Sequence, residues 1–484
     1  MTTTLPENSV TAPDSEPLHY QDATSLAALI ATKQVSSREV VQAHLDRIAE
    51  VNPKINAIVT LLADDALRAA DAADAAVATG VELGPLHGVP VTVKDSIDTA
   101  GVLTQGGTKV FAGRIPDTDA TAVARFKAAG GILLAKTNLP EFSAWTETDN
   151  LVTGRTNNPW NLDRTSGGSS GGEAAAMAAG MSPIGIGSDV AISVRGPAAF
   201  NGIAALKATH GRIPFTGHLA PMTSAWFHVG PMARTVRDVA LGYSLLSGPD
   251  GIDGYAVHAN DIDSANTRIA GQTIRVGWVS DDAFGPVDPE IAAAVADAAA
   301  RLADLGCHVE RIDAPFLRDS DALTAVMTFF YSQLVPYVKE LTAGREGDLY
   351  ATGKGIVEME DPTLAQLHDA RKTLEDLRSA FAGFFRDYDV LLCPVTPMTA
   401  TPHGALELLV DGVTVSWMHV MDITSYFNLT GLPALSVPYG FSSENLPMGI
   451  QLVSKWFDES TILRLGALLE RKGGLGNRRP PIFA

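Results

Sequence analysis

Cysteine is scarce in this chain: of 484 residues only Cys307 and Cys393 carry a thiol, far apart and outside any CxxC or histidine-paired spacing. That excludes a disulfide framework and argues against a cysteine-based zinc site, leaving two buried, reduced thiols as the expectation. Positive charge is also in deficit. Lys and Arg number 36 against 55 Asp and Glu, a formal net charge of −19, so a phosphate backbone would be repelled over most of the surface and no nucleic-acid partner is expected. No uninterrupted apolar run reaches membrane-spanning length, so no membrane partner is expected. The opening "MTTTLPENSVTAPDSE" has neither the basic nor the apolar region of a signal peptide, and a cytoplasmic protein is the expectation. What is present is ordinary globular material, 46% apolar and 19% charged, enough for a sizeable core.

Along the chain, residues 1–18 read as a polar, disordered tail. "SSREVVQAHLDRIAEVNP" opens with Ser36 and Glu39 in capping-box spacing, carries Val40, Val41, His44, Leu45 and Ile48 on one face, and is expected to stop before Asn52-Pro53. His44 there is a helix-face residue, not a ligand. "LADDALRAADAADAAVATG" is a second helix closed by Gly80. The β-branched run "VPVTVKDSID" reads as a strand buried on both faces, followed by helix "DATAVARFKAAGG" and strand "ILLAKTN". The second half repeats the grammar: strand "TIRVGWVS", helix "PEIAAAVADAAARLADLG", strand "CHVERI", then strands "DVLLCPVTP" and "PALSVPYG" and helix "ESTILRLGALLERKG". Strand–helix–strand order predicts an α/β sheet with some parallel pairing. The turn-rich stretch 248–272 is expected to be a surface excursion, because the strands on either side look as if they need one sheet.

Three residues carry the chemistry. Lys94 ends a run that should be buried, and an amine shielded from water loses its proton more easily and becomes a competent general base. Its bland alternative is a lysine reaching to solvent or pairing with Asp95 or Asp98. "GGSSGG" precedes a helix expected to start near Glu173, so backbone N–H groups should bunch around Ser169 and Ser170; it lacks the Gly-Lys-Ser/Thr ending of a phosphate-cradling loop. Ser193, beside Arg195, is on its own one more serine in a turn before Pro197.

Taken together, Lys94 in "VTVKD", then "GGSSGGE", then "GSDxxxSxRxPAAF" at this separation resembles the amidase signature family of serine hydrolases. "LLAKTNLPEFS", "GRTNNPWNLDRTSGGSSGG", "GIAALKATHGRIP", "GPMARTVRDVAL" and "NLTGLPALSVPYG" extend the resemblance over nearly the whole chain, most strongly from about residue 85 to 240. The resemblance implies one α/β domain over 19–484, a central mixed β-sheet sandwiched between helices (α/β/α). It implies a Ser–cis-Ser–Lys triad made of Ser193, Ser169 and Lys94: Ser193 as nucleophile, Ser169 as proton relay, neutral Lys94 as base, and an acyl-enzyme cleaved by water. No metal or cofactor is called for. The oxyanion would be held by backbone N–H groups of Val190, Ala191, Ile192 and Ser193. Members usually have Gly-Gly before the nucleophile where this chain has Ala191-Ile192, and β-branched Ile192 forbids the positive φ of glycine and narrows the space beside the serine. Asp189 and Arg195 are expected to pair and hold the turn, against a generic surface ion pair as the alternative. Thr165, Gly168 and Ser170 would shape the nest, while Asn138 and Glu141 look like scaffold.

The leading expectation is hydrolysis of a carbon–nitrogen bond next to a carbonyl in a small amide, anilide or carbamate, with an alkaline optimum and room for a homodimer. Aromatics in 324–338, 224–229 and 414–428 are candidates for the substrate pocket. Three alternatives stand beside it. One is a carbamate hydrolase with the same triad. Another is the glutaminase subunit of a tRNA-dependent amidotransferase, against which "AWFHVGP" stands where such subunits carry a "SLDQxGP"-like block. The third is a catalytically silent binding protein on the same fold.

Overall fold

Eleven strands of the computed structural model hydrogen-bond into one mixed sheet. In chain order they are β1 (Ile58–Leu61), β2 (Pro90–Lys94), β3 (Ile132–Thr137), β4 (Ile184–Asp189), β5 (Ala204–Lys207), β6 (His228–Ala233), β7 (Arg275–Trp278), β8 (His308–Arg311), β9 (Val390–Pro394), β10 (Ala434–Phe441) and β11 (Pro447–Ser454). Their spatial order is β1-β3-β2-β4-β6-β5-β10-β11-β9-β7-β8. Parallel pairs (β3/β2/β4 and β9/β7/β8) lie toward the two ends, and an antiparallel run from β4 to β9 joins them. The structure describes residues 16–219, 226–259, 273–473, 475 and 478–481. The expected tail lies outside the described residues through residue 15, and a short 3-10 turn follows at Leu18–Tyr20. The excursion at 248–272 lies outside them from residue 260, yet the strands flanking it, β6 and β7, do belong to one sheet.

Alternation along the central strands separates two faces. Ala205 and Met232 pack on the Gly171–Ala178 and Arg195–Asn201 helices, with Ala174, Met177, Val194 and Ala198. Ala204, Leu206 and Ala233 turn the other way, into the large core shared with Val236 and Val239. Strand β2 is buried at all five positions between two parallel neighbours, which is why its sequence is apolar and β-branched without alternation.

Two local expectations are corrected. The helix that begins with the Ser36–Glu39 capping box runs Ser37–Ile55, past Pro53. A proline so near the end forfeits one ladder donor only, and Asn52 Oδ1 holds the chain just beyond the helix by accepting the Ala57 and Ile58 amides at 2.8 Å each. The thiols are both free, but only Cys393 is buried; Cys307 is half-buried. Burial pushes Cys393 up to about 12, only partly offset by the Gln451 amide and the Arg195 charge, so it is inert. His44 is buried on its helix with Nδ1 2.8 Å from the Val40 carbonyl, and Gly80 closes the second helix at φ 74°. Among the described residues no helix is long and apolar enough to cross a membrane.

Candidate active site

Lys94 is the last residue of β2 and is fully buried. Thr92, two residues earlier, faces the same side and donates to Glu173 of the Gly171–Ala178 helix, which Thr137 also reaches at 2.6 Å. The Lys94 amine lies 2.6 Å from Ser169 Oγ and 3.0 Å from Ser188 Oγ. Burial draws its pKa down to about 7, only partly offset by Asp189 and Glu173. A lysine reaching solvent is thereby ruled out.

Ser169 follows a cis Gly168–Ser169 peptide bond. Gly168 has no room for a side chain: a Cβ there would lie 2.5 Å from the Trp145 carbonyl oxygen. Thr165 Oγ1 accepts the Gly167 amide at 3.0 Å and steadies the turn into the nest. Ser170 caps the helix, which starts at Gly171, two residues before the expected start, and its amide donates to the Ser193 carbonyl at 3.1 Å. The same residue ties the nest to β4, with its Oγ 3.3 Å from both the Ser188 amide and carbonyl.

The turn after β4 carries Ser193 and is anchored at Asp189. That carboxylate accepts the Val194 amide at 3.0 Å and meets Arg195 at 3.0 Å, with both side chains wholly buried. A generic surface pair is therefore excluded. Burial alone would raise the Asp189 pKa, but the Arg195 guanidinium and the surrounding donors hold it below its ordinary value. Arg195 also donates to Gln451 at 3.0 Å, to the Thr424 carbonyl at 3.1 Å and to Asn428. Gln451 and Asn428 were not singled out from the sequence: Gln451 is the one polar residue in the apolar run 447–453, a signal that could have found it, whereas Asn428 stands among other polar residues and only opens the block "NLTGLPALSVPYG".

Among the described residues the amides of Val190, Ala191, Ile192 and Ser193 are taken by no protein acceptor, while the next two point at Asp189. None of the four has a positive φ, so Ile192 sits in this turn without the conformation that glycine alone favours. Its side chain is accommodated by Gly196, where an added Cβ would collide with Ile192 Cγ1. Asn138 and Glu141 bind backbone: Asn138 donates to the Gly154 carbonyl at 2.9 Å, and Glu141 accepts the Gly353 amide at 2.9 Å.

Ser193 opens onto a cleft lined by Trp145, Met327, Phe330, Tyr331, Trp417 and Met421. The stretches 324–338 and 414–428 thus both reach the cleft. From 224–229, Trp226 and Phe227 stand behind it, stacked at 4.4 Å on Phe329 and 5.9 Å from Phe330; residues 224 and 225 lie outside the described residues. Trp145 was not anticipated, and its ring lies 4.1 Å from that of Trp417. Among the described residues no group of three or more His, Cys, Asp or Glu could hold a metal ion.

A dry lysine against one serine, and a second serine on a turn with free amides at an aromatic cleft, define a centre suited to moving a proton off a hydroxyl beside a carbonyl. The chain belongs to the amidase family, whose profile matches residues 39–463. It is 36% identical over 483 residues to a glutamyl-tRNA(Gln) amidotransferase subunit of Acidothermus cellulolyticus, covering 93% of each chain. It is also similar to the structure of 6-aminohexanoate cyclic dimer hydrolase (TM-score 0.86, 31% identity, 96% of this chain and 99% of that one). A bacterial aryl acylamidase of the amidase signature family superposes with TM-score 0.84 at 26% identity, over 94% of this chain and 97% of that one. The fold expectation, a central mixed sheet flanked by helices, holds. The curated relative bears the name of the amidotransferase alternative, not that of the leading one.

Proposed function

We propose that this chain hydrolyses the C–N bond of small amides whose acyl or amine part is flat and apolar, with Ser193 as nucleophile. Neutral Lys94 accepts the Ser169 proton, Ser169 accepts that of Ser193, and Ser193 Oγ attacks the carbonyl carbon. The amides of Val190, Ala191, Ile192 and Ser193 are the donors available to the developing oxyanion, a contribution of several kcal/mol, order of magnitude only. The relay returns the proton to the departing nitrogen, the C–N bond breaks and the amine leaves. Water, deprotonated by the same relay, then cleaves the Ser193 ester and releases the carboxylic acid. The observation that carries this reading is the Lys94–Ser169 contact of 2.6 Å beside the cleft that Ser193 lines. The aromatic lining supports a flat substrate, as an aryl acylamidase among the structural relatives does.

A second reading, the glutaminase subunit of an amidotransferase, is favoured by the curated relative. Against it, the lining residues Trp145, Phe330, Tyr331 and Trp417 offer a glutamine little polar complement. One experiment separates them. The purified chain is given a short-acyl 4-nitroanilide, an aryl carbamate and glutamine at about pH 8, beside Ser193→Ala. Nitroaniline release lost in the variant supports the amidase, and a carbamate turned over faster moves the assignment to carbamate. Inertness on both with glutamine cleaved only beside a partner protein supports the amidotransferase. Turnover that survives in Ser193→Ala removes the nucleophile and the proposal with it.

A further inference from the structure

His218 has no part in the relay above, yet it is built into the same hydrogen-bond chain. It lies on a segment bridged antiparallel to Ile97, just past the end of β2. The Leu219 amide donates to the Ser96 carbonyl at 2.7 Å, and the Asp98 amide to the Gly217 carbonyl at 2.8 Å. The ring is stacked on Phe215 at 4.5 Å. Its Nδ1 is 2.5 Å from the Leu219 carbonyl, and a carbonyl only accepts, so Nδ1 carries the proton. Its Nε2 lies 3.0 Å from Ser188 Oγ and 2.9 Å from Ser96 Oγ. Burial, with the Lys94 and Lys136 amines nearby, lowers the imidazole to about 3, so the ring is neutral and Nε2 is a bare acceptor shared by the two hydroxyls.

The direction of the chain follows. With its hydrogen committed to His218, Ser188 can only accept from Lys94, 3.0 Å away. A neutral amine has two hydrogens and one lone pair. One hydrogen held by Ser188 turns the lone pair toward Ser169, at 2.6 Å on the other side. If Ser188 were free to rotate, its hydroxyl would donate to the lone pair and compete with Ser169 for the base.

We propose that His218 is a positioning residue which, acting through Ser188, fixes the hydrogen-bond direction at Lys94 so that its lone pair faces Ser169. This rests on the reading of Lys94 as the base. The test measures kcat and KM on the anilide for wild type, His218→Phe, His218→Gln, Ser188→Ala, the double variant Ser188→Ala with His218→Phe, and Lys94→Met. Phe keeps the stack on Phe215 and deletes the acceptor; Gln presents an acceptor oxygen near the place of Nε2. His218→Phe is expected to lower kcat about 10- to 100-fold, the scale of a misdirected general base, with KM changed less than about twofold. His218→Gln should recover most of the rate. The double variant should be no slower than Ser188→Ala alone, because the effect passes through that hydroxyl. Equal losses in the Phe and Gln variants overturn the inference, as do Ser188 and His218 effects that multiply, or a loss confined to KM. A Lys94→Met variant that remains active overturns the base assignment itself. One that is dead while the His218 variants match wild type overturns only the positioning role. Should His218→Phe fail to fold, Gln against Ser188→Ala carries the same comparison.

Discussion

Replacing Lys94 by Met is expected to abolish turnover and to make the protein more stable, and the pH dependence of that gain is its signature. The amine has an ordinary pKa of 10.5 in the unfolded chain and about 7 when folded, because burial disfavours its charge. Between those values the unfolded state binds the extra proton, so wild-type stability rises with pH across about pH 7 to 10.5 and is lowest below it. At roughly 1.4 kcal/mol for each tenfold of proton affinity, burying this group costs on the order of 4 kcal/mol at neutral pH. Methionine removes that cost but leaves the Ser169 and Ser188 hydroxyls without their amine partner, at about 1 kcal/mol each. The net gain is about 2 kcal/mol near pH 7, shrinking as the pH is raised. Urea midpoints of the two proteins between about pH 6 and 9.5 read it directly. If wild type were the more stable protein at pH 7, or if the gap stayed constant with pH, the buried neutral amine would be refuted.

The rate profile tests the same group from another side. With a base near 7, kcat/KM on the anilide should fall about tenfold per pH unit below that value and be flat above about pH 8. The optimum is therefore mildly alkaline, and a profile level from about pH 5 to 9 removes Lys94 as the base. Asp189→Asn leaves the wholly buried Arg195 charge uncompensated, and a loss of about 3–5 kcal/mol in urea unfolding is expected. Gly185→Ala drives a methyl into the Glu173 carboxyl and to 2.5 Å from the Thr92 carbonyl oxygen, so a fall of several kcal/mol or failure to accumulate folded protein is expected; a midpoint equal to wild type contradicts it. Trp417→Ala opens the Trp145 side of the cleft and should raise KM for an aryl amide about tenfold while sparing it for acetamide.

Much of the fold was legible because its signals are local. The Ser36–Glu39 capping box, the continuous β-branched run of β2 and the helix-closing Gly80 each act within a few residues; the first starts its helix, the second is a buried strand and the third ends its helix as the pattern put them. Lys94 and Ser169 were legible as residue types, and the structure sets them 2.6 Å apart; Ser193 was legible likewise, and it meets the nest through its carbonyl, which accepts the Ser170 amide. What stayed hidden depends on pairings that one-dimensional spacing does not encode. His218 meets Ser188 only through the bridge to Ile97. Asn428 and Gln451 reach Arg195 from strands and helices more than 220 positions away. The proline that should have stopped the helix at 53 did not, because so near the end it removes a single ladder donor, and the helix closes instead at Asn56 in the left-handed conformation.

The fit of Ile192 against Gly196 bears on how this chain can change over generations. Alanine at 196 would meet Ile192 Cγ1, so that substitution is closed until the isoleucine has first been trimmed. Trimming it to glycine empties a buried site (Ile192 is 3% exposed) and costs on the order of 2–5 kcal/mol before any gain is available. The constraint runs one way: Ile192 keeps 196 a glycine, and its own burial keeps Ile192. Any change at 196 to a residue with a side chain therefore has to come after a costly change at 192, and the order of the two steps is fixed by this one contact.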